Sequence, residues 1–212
     1  MTITASGRAD LAPPGTPADR MLTATLFVAP VLMLGAEAMY AFQGWHSGAA
    51  GVLHVLAAIG FGILVLRVAT WLPGGSWLTT GLLFTAIAGA IGNAAYGFES
   101  IHESFGDMPL VDRSGAAILI KPLGLLFPLS LILVAAAVRR LGHRAPAAAV
   151  LLAAVLWPVA HIANIAPLAV VVNVILVVAF GTAASWAGTA HGSRPSLAET
   201  SLLDREPDNG RN

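Results

Sequence analysis

In the stretch YGFESIHESFGDMP, residues 96–109, Glu99 and His102 stand three positions apart. On a helix that spacing puts both side chains on one face. A carboxylate and an imidazole held together suit Zn, Fe, Mn or Cu. The same Glu-x-x-His spacing recurs in di-iron helix bundles, where it occurs twice; in this chain it occurs once. Glu37, His54 and His161 add an acid and two imidazoles that interrupt long apolar runs. Glu37, His54, Glu99, His102 and His161 therefore form a candidate ligand set for a transition metal. A metal with an open position there would activate water or bind a redox substrate. Lys121 is the candidate charge partner and Asn164 the candidate group that orients a ligand from behind.

Two other chemistries use some of the same residues. His54 and His161, on different helices, could clamp a b-type haem as axial ligands. Haem ranks below a bare metal, because so many acids surround a site that would need apolar walls. Glu37 and Lys121 could instead form an intramembrane ion pair that opens when a proton or cargo binds, which is the chemistry of a proton-linked small-solute transporter. Pro30, Pro122, Pro128, Pro158 and Pro167 supply kinks and hinge points for such a device. Against it, the opposite halves of the same helices carry almost no polar residues. The third class is a non-catalytic membrane subunit or scaffold, a homo-oligomer or the partner of another membrane chain. The small residues of AIAGAIGNAAYG, residues 86–97, allow the tight helix packing this requires, with Gly60 and Gly62 facing them. The subunit reading leaves the polar residues unexplained.

The elements that must position these groups are long apolar segments. Of 212 residues 57% are hydrophobic and only 10% charged, where a soluble domain of this size carries about 25% charge. The charges cluster at the ends and between apolar runs, the pattern of an all-α, polytopic integral membrane protein. Six spans are expected near 21–42, 49–71, 76–98, 115–138, 146–163 and 166–188. Residues 1–20 and 189–212 read as disordered tails. The sequence has no cysteine, which excludes thiolate metal sites and Cys nucleophiles. A net charge of zero leaves no nucleic-acid footprint. No Gly-x-Ser-x-Gly elbow occurs, and LPGGSW (72–77) reads as a turn and not a phosphate loop.

Orientation follows from the basic residues. Nine arginines (Arg8, Arg20, Arg67, Arg139, Arg140, Arg144, Arg194, Arg205 and Arg211) fall on one side if the helices alternate, and the other side keeps Arg113 and Lys121. That asymmetry predicts both termini in the cytoplasm, in the plasma membrane. A cleaved leader ending at AEA (36–38) is the weaker alternative, since the apolar run continues through Phe42. With the termini inside, Glu37 lies about 8 Å from the outer end of the first span at 1.5 Å per residue. His54 falls about as far inside the second span, His161 and Asn164 close the outer end of the fifth, Lys121 lies about two turns into the fourth, and Glu99, His102 and Glu103 sit at the rim. The sequence thus predicts a polar pocket at one end of the bundle, formed by residues distant in the chain. Asn93 and Asn173 read as interhelical hydrogen-bond glue.

Overall fold

The computed structural model describes residues 13–183. Among them lie six α-helices and no strand. Helix α1 spans Pro17–Gln43, α2 Gly48–Thr70, α3 Trp77–Ser104, α4 Ile120–Arg140, α5 Arg144–Ile162 and α6 Ala166–Gly181. Serine and threonine fix the first three starts. The hydroxyls of Thr16, Ser47 and Ser76 each accept an N–H of the first turn, satisfying one of the donors a helix start leaves open. Short connections make chain neighbours antiparallel. Each helix packs on the next, and α6 returns to α1, closing a six-helix ring.

The first five helices are long and apolar enough to cross a membrane. The described part of α6 has 16 residues, and the residues expected to finish that span lie outside the described ones. Large apolar side chains cover the outside of the ring. On α3, Phe84, Ile87 and Ile91 are more than half exposed while Gly89, Gly92 and Asn93 turn inward. An exterior of this kind is suited to lipid and not to water. The molecule is an all-helical bundle of the multi-pass membrane type.

Glycine sets the closest helix pairs. A Cβ on Gly92 would lie 2.3 Å from the backbone of Leu123, and one on Gly89 2.5 Å from Phe127 N, so α3 and α4 touch backbone to backbone. Gly51 and Gly97 do the same for α2 and α3, with a Cβ on Gly51 falling 2.6 Å from Gly97 O. Gly60 packs on Ala29 of α1 and not on α3, contrary to expectation, while Gly62 does face Ala90. The centre of the ring is filled by Phe61, Phe127 and Trp157, whose ring centroids stand 5.1 and 5.4 Å apart in succession.

Two boundaries differ from the sequence reading, and both matter for the polar residues. Helix α3 runs on to Ser104, past the expected end at 98. The acids at 99 and 103 do not break it, because polar side chains at a helix end can reach out of the apolar layer. Helix α4 starts at Ile120, after two short 3₁₀ turns at Leu110–Asp112 and Gly115–Leu119. Lys121 therefore sits in the first turn of α4 and not two turns inside it. Helix α1 opens at Pro17, within the stretch expected to be tail; residues 1–12 and 184–212 lie outside the described ones.

The two ends of the ring are unlike. At one end Asp19 of α1 binds Arg67 of α2, with 2.9 Å between Oδ1 and Nη1, and Arg67 lies over the Trp71 ring at 5.6 Å. The other end carries the α1–α2, α3–α4 and α5–α6 connections and holds the polar residues.

Candidate functional site

Helical spacing brings one inward face of α1, α2, α3 and α5 to this polar end. On α1 the buried face is Met33, Ala36, Glu37 and Tyr40, a run at i, i+3, i+4 and i+7. On α2 it is Ala50, His54, Ala57 and Ala58. On α3 Asn93, Gly97 and Ser100 point the same way, and on α5 Trp157 and Ala160 lie beside His161.

Glu37 stands at the centre of these faces with no exposed surface. Its Oε1 lies 3.0 Å from His161 Nε2 and 3.9 Å from His54 Nδ1. Each imidazole is fixed on its far side. His161 Nδ1 meets the Trp157 carbonyl at 2.9 Å, and His54 Nε2 meets Asn93 Oδ1 at 3.0 Å. A backbone carbonyl oxygen can only accept, so Nδ1 of His161 carries a hydrogen. In a neutral ring its Nε2 then presents a lone pair to the Glu37 carboxylate, and two facing acceptors repel. The 3.0 Å bond between Glu37 and His161 therefore contains a proton, held by the acid or by the ring. Glu37 Oε2 and His54 Nδ1 have no hydrogen-bond partner among the described residues.

Aromatic rings wall this group in. Trp157 stacks on His161 with centroids 3.9 Å apart, and Tyr40 and Tyr96 flank His54 at 5.9 and 5.7 Å. Trp45, from the α1–α2 connection, stacks on Tyr40 and tilts over His161. Tyr40 is itself anchored by donating to Ser100 Oγ at 3.0 Å.

In front of the group lies a cavity of about 690 Å³, within the range of small-molecule sites. Its wall includes Asn93, Tyr96 and Glu99 of α3, Lys121 of α4, and Trp157 and His161 of α5. Trp45 and His46 close it from the α1–α2 connection, and Asn164 from α5–α6. Glu37 and His54 stand behind this wall. His161 belongs both to the wall and to the buried group, and it links the two.

The five residues expected to bind a metal do not come together. Glu37, His54 and His161 meet. Glu99, 3% exposed, uses Oε1 to accept the Val111 N–H at 3.0 Å. His102 pairs with Asp107 at 3.4 Å and lies outside the cavity wall. The Glu99–His102 pair is thus split, one side chain turned inward and the other toward the loop. Among the described residues no group of three or more His, Asp or Glu is arranged to hold a metal ion. The space between His54 and His161, where a haem iron would have to sit, is taken by the Glu37 carboxyl. Lys121 shares the cavity with Glu99 and not with Glu37, which lies behind the wall. Asn164 adopts a positive φ of 53° and ends the turn after α5; it lines the cavity but does not orient His161, whose Nδ1 is held by its own helix.

Tyr96, Ser100 and Trp157 were not legible as site residues. The signal available was spacing: Trp157 precedes His161 by one turn, and Tyr96 and Ser100 follow Asn93 at i+3 and i+7. No family model, curated protein or solved structure matches this chain.

Proposed function

We propose that this protein is a proton-linked carrier of small solutes, with the cavity as its solute site and the Glu37–His161 pair as its proton site. The observation that carries the reading is the position of His161. His161 forms part of the cavity wall, and its ring shares a proton with a carboxyl that has no contact with solvent. A charge or donor arriving in the cavity acts on that proton directly.

In this reading six helices cross the plasma membrane with both termini in the cytoplasm, on the strength of the arginine asymmetry. The cavity then faces outward. The packed Phe61–Phe127–Trp157 layer below it is the closed gate of an outward-facing state. The chain lacks cysteine, so a single cysteine at Asp107, half exposed in the α3–α4 connection, reports the orientation. An impermeant maleimide should label it in intact cells. Protection from the reagent until the membrane is broken would reverse the assignment.

The activity is tested in liposomes that contain the full chain and a pH-sensitive dye. A panel of small amines, carboxylates and neutral solutes is added outside. At least one class should move protons in the wild type and none should do so in Glu37→Gln. Proton movement that persists in Glu37→Gln removes this pair from the mechanism, and silence in the wild type across the panel refutes the carrier reading.

A further inference from the structure

We propose that the solute is a protonated organic amine with an apolar body of about the size of an aromatic ring, and that it enters in exchange for the proton of the Glu37–His161 pair. The inference rests on the proton-linked reading above and adds the chemical class of the ligand.

Glu99 carries most of the argument. It is 3% exposed and forms part of the cavity wall. Its Oε1 is held by the Val111 N–H, but its Oε2 is buried with no hydrogen-bond partner among the described residues. A buried acceptor of this kind, left unpaired on a charged group, is more costly than on a neutral one. An ammonium donor in the cavity supplies what it lacks. Glu103 adds a second carboxylate to the wall, paired with His46. The wall's basic residue, Lys121, is itself engaged. The balance of charge therefore disfavours an anion.

The remaining walls agree with a cation that has an apolar body. Trp45, Tyr96 and Trp157 line the cavity, and aromatic faces attract ammonium groups, more so when water is excluded. Two neutral donors in the wall, Asn93 Nδ2 and Trp157 Nε1, have no acceptor among the described residues. They suit a hydroxyl or carbonyl elsewhere on the same ligand, which would strengthen binding without changing its charge.

The exchange balances in charge. The amine arrives as R–NH₃⁺ and keeps its protons. The proton shared by Glu37 and His161 leaves to water: the N–H or O–H bond that held it breaks, an O–H bond to water forms, and one positive charge replaces another. From α1 the groups facing this proton are Glu37 and Tyr40, and from α2 His54. From α3 they are Tyr96, Glu99 and Glu103, and from the α1–α2 connection His46. Helix α4 contributes Lys121 at the cavity wall, and α5 contributes His161 alone.

The test is titration calorimetry on the full chain in nanodiscs of phosphatidylglycerol, a lipid without an amine. The probes are phenylethylamine, phenylpropionate and phenylpropanol, each in buffers of differing ionisation heat so that proton release is counted. Phenylethylamine should bind best and release about one proton, and tyramine, which adds a hydroxyl, should bind more tightly. Glu99→Gln keeps the oxygen that receives Val111 and should weaken the amine at least tenfold while leaving phenylpropanol unchanged. Glu103→Gln should weaken it less. If phenylpropionate binds as well as the amine, if neither binds, or if Glu99→Gln retains full affinity, the ligand class is wrong. If the amine binds but no proton is released, the ligand class stands and the proton-linked reading fails. Phosphatidylethanolamine added to the disc will compete if the amine comes from a lipid headgroup, and will not if it comes from a free solute.

Discussion

Replacing Glu37 by Gln, Leu and Ala separates the shape of this side chain from its proton. In Glu37→Gln the amide N–H can donate to the lone pair of His161 Nε2 across the same 3.0 Å, so the bond survives without any proton to share. The cost should be within about 1 kcal/mol, the net worth of one neutral hydrogen bond. Glu37→Leu fills the space but strands His161 Nε2 among Trp45, Tyr96 and Trp157. An orphaned buried acceptor costs about 1–3 kcal/mol. Glu37→Ala adds a void at a site with no exposure, and the two effects together should reach about 2–4 kcal/mol. At about 2–4 °C per kcal/mol for a chain of this length, Glu37→Ala should melt about 4–16 °C below the wild type and Glu37→Gln less than about 4 °C below. Tryptophan fluorescence during heating in a fixed detergent follows the loss, since Trp45 and Trp157 both touch His161. If Glu37→Gln melts as low as Glu37→Ala, the amide cannot stand in for the acid and the shared-proton geometry is wrong. Nitrogen-15 spectra give a second check: a His161 Nδ1 found without its hydrogen would refute the tautomer from which the proton was deduced.

Three further outcomes follow from the packing. Gly92→Val should separate α3 from α4, because even a Cβ there lies 2.3 Å from the Leu123 backbone; a loss of about 3 kcal/mol or failure to fold is expected, and a stable variant would show that the helices do not pack this closely. Asp19→Asn leaves the Arg67 guanidinium, 8% exposed, without its anion; since Asp19 is partly exposed, the loss should be about 2 kcal/mol, less than for a fully buried pair, read as a drop in melting temperature. Tyr40→Phe removes the donor to Ser100 Oγ and should cost about 1 kcal/mol. Tyr40 stands behind the wall, so amine binding should change little in that variant.

How much of this was legible in the sequence differs from residue to residue. The helices were, because apolar runs of bilayer length leave little alternative. The meeting of Glu37, His54 and His161 was also foreseen, since alternation of the helices sets all three at one level. Depth along a helix can be counted in residues, but the direction a side chain faces and what it touches cannot. Glu99 and His102 illustrate the limit. Their spacing places them on one face of α3, yet the end of α3 is bordered by the cavity on one side and by the loop on the other. Glu99 turned in to receive Val111, and His102 turned out to Asp107. The start of α4 is not legible, because Gly115–Leu119 is apolar enough to read as span. A tryptophan in an apolar helix resembles packing, and the second task of Trp157, holding the His161 ring by stacking and by its carbonyl, exists only in three dimensions.

The same local geometry explains why a proton can be held here at all. Helix α5 contains Pro158, which has no N–H and leaves a carbonyl of the preceding turn without its usual donor. One turn before His161, the Trp157 carbonyl accepts the Nδ1 hydrogen of that ring. Nε2 is thereby turned toward Glu37 and cannot rotate away without breaking both that bond and the Trp157 stack. On the opposite side, His54 is held by Asn93. The His161 ring, with its hydrogen fixed on the outer nitrogen, thus forms one side of a socket in which Glu37 is held through a proton. Because His161 is also part of the cavity wall, whatever occupies the cavity changes the field at the socket. The Phe61–Phe127–Trp157 layer packs between helices α2, α4 and α5. In the proposed carrier cycle this layer has to part before anything can pass from the cavity to the Asp19–Arg67 end.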